Sequence, residues 1–127
     1  LISEKGLSEV IELIGHVEDI EHFYNGLDAL AFTSKFEGTA RTVLEAWSTE
    51  LPVISYNVSS MKEMIDDEVD GLLVPPFDTE VYAQKMKLFV ENPEKYKVYG
   101  EKGREKVINS FNKKKQYAKW YNYLTSL

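Results

Sequence analysis

Short apolar runs alternate with amphipathic stretches along most of this chain. Val10-Ile11-Glu12-Leu13-Ile14 is mostly apolar, partly β-branched, and stops at Gly15, which predicts a first buried strand. From Glu18 to Leu27 the residues Ile20, Phe23, Tyr24 and Leu27 recur at helical spacing, so a short acidic helix follows, ended by Asn25-Gly26. Asp28 to Ser34 is a second compact apolar run, a strand that leads into the loop Lys35-Phe36-Glu37-Gly38. Thr39 to Trp47 reads as a helix with Thr39 as its cap and Ala40, Val43, Leu44 and Trp47 on one face.

Pro52 opens a third strand that runs to Tyr56, and Ser59 to Ile65 forms a short helix before a turn at Asp66–Gly71. Leu72-Leu73-Val74 is a fourth strand. Asp78-Thr79 then caps a helix that mixes Val81, Leu88 and Phe89 with a Lys85 whose stem lies along the core. Helices dominate from Asn92-Pro93 onward, over Glu94 to Ser110 and over Lys113 to Thr125. Tyr117, Trp120, Tyr121 and Leu124 share a face of the last one, and that face needs a partner surface. Strands alternating with helices predict an α/β fold with a parallel sheet flanked by helices, in which ligands bind beyond the carboxyl ends of the strands. The loop Ser34–Gly38 therefore stands at a binding edge.

With 127 residues, 43% of them hydrophobic, the chain has enough apolar surface for one domain with a real core. It has no cysteine, which excludes disulfides and thiolate metal sites, and His16 and His22 are too few for a His-rich site. The start has neither an initiator Met nor a signal-peptide layout, so a cytoplasmic fragment of a longer protein is expected. Charge is uneven: residues 1–100 carry 8 Lys/Arg against 19 Asp/Glu, and residues 101–127 carry 7 against 2. The acidic bulk disfavours nucleic acid. The basic tail around Lys113-Lys114-Lys115 suits either a solvated helix face or peripheral contact with an anionic membrane or an acidic partner.

The chemistry concentrates between Phe36 and Ala46: a carboxylate on a loop, a Gly, a helix start, and a second carboxylate two turns on. A helix N-terminus offers free N–H donors and a partial positive charge, so Gly38 and the amides after it suit a diphosphate. Glu37 and Glu45, on either side, are bidentate acceptors for sugar hydroxyls. A nucleotide sugar presents these groups in that order, as ribose, diphosphate and sugar.

This E-x7-E pattern, Glu37 to Glu45, sits in an ordered frame: Ile14-Gly15-His16-Val17, Asp28 with Ser34, Pro52-Val53-Ile54-Ser55, and Glu63 with Gly71-Leu72-Leu73-Val74-Pro75. Together these blocks resemble the C-terminal domain of retaining GT-B glycosyltransferases, the family called group 1 or family 4. The resemblance implies a Rossmann-like domain that lacks its first strands and the N-terminal acceptor domain. It implies that Glu37, the one catalytic position, contacts the donor sugar, and that Glu45 holds the ribose. Gly38, Thr39, Ala40, Arg41 and Thr42 would line the sugar and diphosphate, and the backbone near His16 and Val17 would meet the base. It further implies transfer of a hexosyl group, with retention, from a UDP-, GDP- or ADP-sugar to a glycan or lipid-linked acceptor, with no metal or other cofactor. This stretch by itself would be inactive, because the basic residues that neutralise the diphosphate have no counterpart here. A non-catalytic sugar-nucleotide-binding or interaction module is the alternative.

The frame is broken at Glu50, where the family carries Gly before the third strand, and at Ser59-Ser60, where Gly-Gly is common. A left-handed Glu50 costs about 1 kcal/mol, which predicts a reshaped turn there.

Overall fold

The computed structural model describes residues 1–126. After a single 3₁₀ turn at Ser3–Lys5 come α1 (Ile20–Asn25), β1 (Leu30–Phe32), α2 (Arg41–Ser48), β2 (Val53–Tyr56), α3 (Met61–Met64), β3 (Leu72–Val74), α4 (Thr79–Glu91), α5 (Pro93–Ser110) and α6 (Lys113–Thr125). The sheet order is β1-β2-β3 and both pairings are parallel, with Ala31 opposite Ile54 and Ser55 opposite Leu73. The β1 and β2 elements are joined through α2, and β2 and β3 through α3, the crossover connection that parallel strands require.

The central strand β2 is buried along its whole length, as a strand covered on both faces must be. Helix α4 covers the face that carries Tyr56. The Tyr82 and Tyr56 rings are 4.8 Å apart, and the Tyr82 hydroxyl donates to the Ile54 carbonyl at 2.9 Å. Burial in that position pushes the Tyr82 phenol far up. Helix α5 packs against both α2 and α4 and completes the core around Trp47, Val43, Ala46 and Tyr96.

Two glycines on α5 allow it to sit this close. A Cβ on Gly100 would stand 1.8 Å from the Glu50 carbonyl oxygen, and one on Gly103 would stand 2.2 Å from Trp47 Cδ1. No side chain fits either gap.

Several expectations need correction. Val10–Ile14 is not a strand: Val10 is 76% and Leu13 84% exposed, and none of the amides from Glu12 to Val17 donates a backbone hydrogen bond. A strand exists only where a neighbour supplies the other half of its ladder, and among the described residues nothing pairs with this run. Helix α1 starts not at Glu18 but with its apolar stripe at Ile20, where the Asp19 carboxylate accepts from the His22 N–H at 3.0 Å. Thr39 does not cap α2; the cap position is Ala40, which has no side-chain acceptor and buries its methyl group in the core instead. Helix α3 is a single turn that begins at Met61. On α4, Phe89 and Tyr82 are buried, whereas Leu88 is 38% exposed.

The turn at Glu50 is not reshaped. Glu50 adopts the left-handed conformation at φ 61°, as a Gly there would, and its carboxylate lies 3.6 Å from Arg104 Nε. Ser59 behaves alike at φ 44°. The exposed Glu50–Arg104 pair offsets little of the strain. Along α6 the predicted aromatic face is present and open, with Tyr117, Trp120, Tyr121 and Leu124 each more than 60% exposed.

Two measurements follow from this packing. Gly103→Ala is expected to lower stability by about 2 to 3 kcal/mol in urea denaturation, because the indole beneath it cannot retreat from a full core. Glu50→Gly is expected to raise stability by up to about 1 kcal/mol at unchanged denaturant slope, since it removes the left-handed penalty.

Candidate functional site

At the carboxyl ends of the strands lie the loops after β1, β2 and β3, and the first of them carries Glu37. Its side chain is half-buried and its Oε1 accepts from Ser34 Oγ at 2.9 Å. Its carbonyl accepts from Ser60 Oγ, at the start of α3, at 3.1 Å. Two hydroxyls therefore fix both the backbone and the carboxylate of Glu37. The Ser34 hydroxyl thus orders the loop.

Gly38 and Thr39 are exposed, and a Cβ added at Gly38 would meet nothing within 4 Å. The backbone N–H groups of Gly38, Thr39, Ala40, Arg41 and Thr42 donate to no acceptor among the described residues. An ordinary helix caps its first turn with a Ser, Thr, Asp or Asn side chain. Here Ala40 offers none, and α2 presents its unpaired donors and the positive end of its dipole to the open side of the loop. The Arg41 side chain is exposed, and Thr42 is half-buried.

Glu45 lies a turn further along α2, half-buried, and lines a cleft of about 410 Å³ with Ile20, Glu21, Tyr24, Ser48 and Arg104. Tyr24 was not anticipated as a site residue. It is 5% exposed beneath Glu45, and burial first, then the negative charge of Glu45, push its phenol above the usual range. Its helical spacing in the sequence marked it only as core.

His16 and Val17 do not reach this cleft. They belong to the unpaired segment before α1, with His16 exposed and Val17 half-buried, next to a Gly15 in the left-handed region at φ 67°.

A larger cleft, about 560 Å³, is lined by Leu27, Ala29, Leu51, Pro52, Met86 and Phe89 among others. Leu27 and Ala29 precede β1, and Leu51 and Pro52 precede β2, so it opens at the amino ends of the strands. Parallel sheets bind ligands at the opposite end, which leaves the Glu37 loop and the start of α2 as the candidate site, although the smaller cleft reaches Glu45 and not Glu37. Among the described residues no three His, Asp or Glu side chains are grouped to hold a metal ion, and no helix is long and apolar enough to cross a membrane.

The profile of the family described as "Glycosyl transferases group 1" matches residues 1–106. The chain belongs to that family. Its relatives include the capsular polysaccharide biosynthesis glycosyltransferase CapM of Staphylococcus aureus, 29% identical over 102 residues that make up 80% of this chain and 27% of CapM. The GtfA subunit of a UDP-N-acetylglucosamine–peptide N-acetylglucosaminyltransferase of Streptococcus gordonii is 32% identical over 126 residues, 98% of this chain and 23% of that protein. Among solved structures, Anabaena HepE in complex with UDP superposes with a TM-score of 0.93 at 22% identity, covering 99% of this chain and 35% of HepE. At that identity the superposition shows the fold, the C-terminal half of a GT-B architecture. The group 1 transferase chain thus spans about a quarter of the length of the curated relatives it matches, 27% of CapM being typical.

The Ser34 contact gives a local test. Ser34→Ala is expected to cost roughly 1 kcal/mol or less of stability, the net value of one part-buried hydrogen bond, and to leave the far-ultraviolet circular dichroism unchanged.

Proposed function

We propose that this chain forms the donor half of a glycosyltransferase that moves a hexosyl group from a nucleoside-diphosphate sugar to a glycan or lipid-linked acceptor, with retention at the anomeric carbon. The observation that carries the reading is the uncapped start of α2. Five consecutive unpaired amides, from Gly38 to Thr42, face an open loop between two carboxylates. Diphosphate satisfies the amides, and its charge suits the helix end. Glu45 accepts from the ribose hydroxyls and Glu37 from those of the sugar, each oxygen pair taking adjacent hydroxyls. Arg41, on the first turn, is within its own side-chain reach of the phosphates, and the backbone of His16 and Val17 serves the base once that segment is paired.

Catalysis in this proposal is electrostatic. Donors fixed before the reaction stabilise charge as the diphosphate departs, and no step is assigned to a metal ion. Glu37 and Glu45 bind hydroxyls and do not act as the acid–base pair of a glycosidase. The acceptor belongs to a further domain, and the open aromatic face of α6 is the surface on which that domain would rest. Its basic residues leave peripheral membrane contact in a cytoplasmic setting as part of the same proposal.

The reading is supported by family membership and by neighbours such as the HepE complex with UDP, so uracil is the first base to test. Calorimetry on the full chain with UDP, GDP and ADP is expected to show binding of one of the three. Glu45→Ala should weaken that nucleotide roughly tenfold or more, as expected for loss of charge-assisted hydrogen bonds. Glu37→Ala should leave the nucleotide alone and reduce discrimination among its sugar conjugates. Nucleotide binding with neither transfer nor donor hydrolysis by the longer parent protein, assayed with its acceptor domain, would leave the non-catalytic module as the better account.

A further inference from the structure

Lys106 on α5 makes an unusual set of contacts. Its ammonium donates to the Met64 carbonyl at 2.7 Å, reaches Asp66 Oδ2 at 2.9 Å, and touches Asp70 Oδ2 directly. It also lies 5.4 Å from the centre of the Trp47 ring. An ammonium has three donors, and all three are used. Asp70 is 2% exposed; its second oxygen accepts from the Asp66 N–H at 2.8 Å, and its carbonyl accepts from Trp47 Nε1 at 3.1 Å. Burial alone would lower the Lys106 pKa, but the hydrogen bonds to Asp70 and Asp66 outweigh it and hold the side chain charged.

These contacts tie α5 to the carboxyl end of α3 and to the indole of α2. The other end of α3 begins at Ser60, whose hydroxyl holds the Glu37 carbonyl. Between the two ends α3 is one turn, with Met61 fully buried and Met64 nearly so, and a turn of helix pinned at both buried positions moves as a unit. The preceding Ser59 is in the left-handed region at φ 44°, a conformation that persists only where its surroundings impose it. A continuous path therefore runs from Lys106 through Met64, α3 and Ser60 to Glu37. The same ammonium bears on Trp47, and so on the helix that carries Glu45.

We propose that Lys106 is a positioning residue for the donor site, which sets the place of Glu37 relative to α2 through α3 and Ser60. The proposal rests on the donor-site reading above and adds to it a residue that touches no ligand. Its loss should loosen the grip on the sugar more than the grip on the nucleotide, because the path ends on the backbone of Glu37, the residue whose carboxylate is assigned to the sugar.

The test is calorimetry on the full chain with UDP and UDP-glucose, or with the corresponding guanosine or adenosine pair if that nucleotide is the one that binds. Lys106→Met alone would strand the buried Asp70 charge, so it is combined with Asp70→Asn; Ser60→Ala probes the same path without touching the ion pair. Both variants are expected to bind the nucleotide within about twofold of the parent and the nucleotide sugar roughly three- to tenfold more weakly. Combining them should add little to either loss, as for two points on one path. Ser60→Thr, which keeps the hydroxyl, should bind like the parent. A sugar-to-nucleotide affinity ratio unchanged in Ser60→Ala, or losses that add in full, would overturn the positioning role. Glu37→Ala run alongside separates the two ideas: if it leaves that ratio unchanged, the donor-site reading itself fails.

Discussion

The indole of Trp47 is the fixed point of this fold. It has no solvent exposure, fills the space left by Gly103 on α5, and donates its one polar hydrogen to the Asp70 carbonyl. A buried Trp is tolerated only where its N–H finds such an acceptor. Because Trp47 is on α2, the same contacts that satisfy it fix α2 in depth and rotation against α5. The rest of the core is arranged around that placement, with β2 beneath and α4 on the far face of the sheet.

Fixing α2 from its far end leaves its near end free to be unusual. Ala40 sacrifices a cap to bury a methyl group, which a helix held only by its own ends could not readily do. The unpaired amides at the start of α2 are therefore sustained by packing at Val43, about one turn away, and at Trp47, about two turns away. Similar economy explains Glu50, whose left-handed backbone is retained because α5 closes over its carbonyl at Gly100. Local strain is met by tertiary contact in both cases.

The three strands and the order of helices were legible from periodicity, because Asp28–Ser34, Pro52–Tyr56 and Leu72–Val74 are short apolar runs set off by turn residues. The run Val10–Ile14 carries the same local signal and forms no strand here, since pairing is a property of two segments and not of one. The helix around Glu45 was legible, whereas its start was not: Thr39 has cap chemistry, and only the burial of Ala40 decides against it. Glu37 and Glu45 stood out through their spacing and frame. Tyr24 and Lys106 did not, because what gives them interest is contact across the fold, 42 residues in the case of Lys106 and Met64.

The central claim is that the uncapped start of α2, with a carboxylate on either side, is a nucleotide-sugar site. The most direct measurement is a crystal structure of the full chain with its nucleoside diphosphate. The account predicts diphosphate oxygens within about 3 Å of the amides between Gly38 and Thr42, and ribose hydroxyls at hydrogen-bond distance from Glu45. A nucleotide seated at the amino ends of the strands, or with its ribose turned away from Glu45, would contradict it.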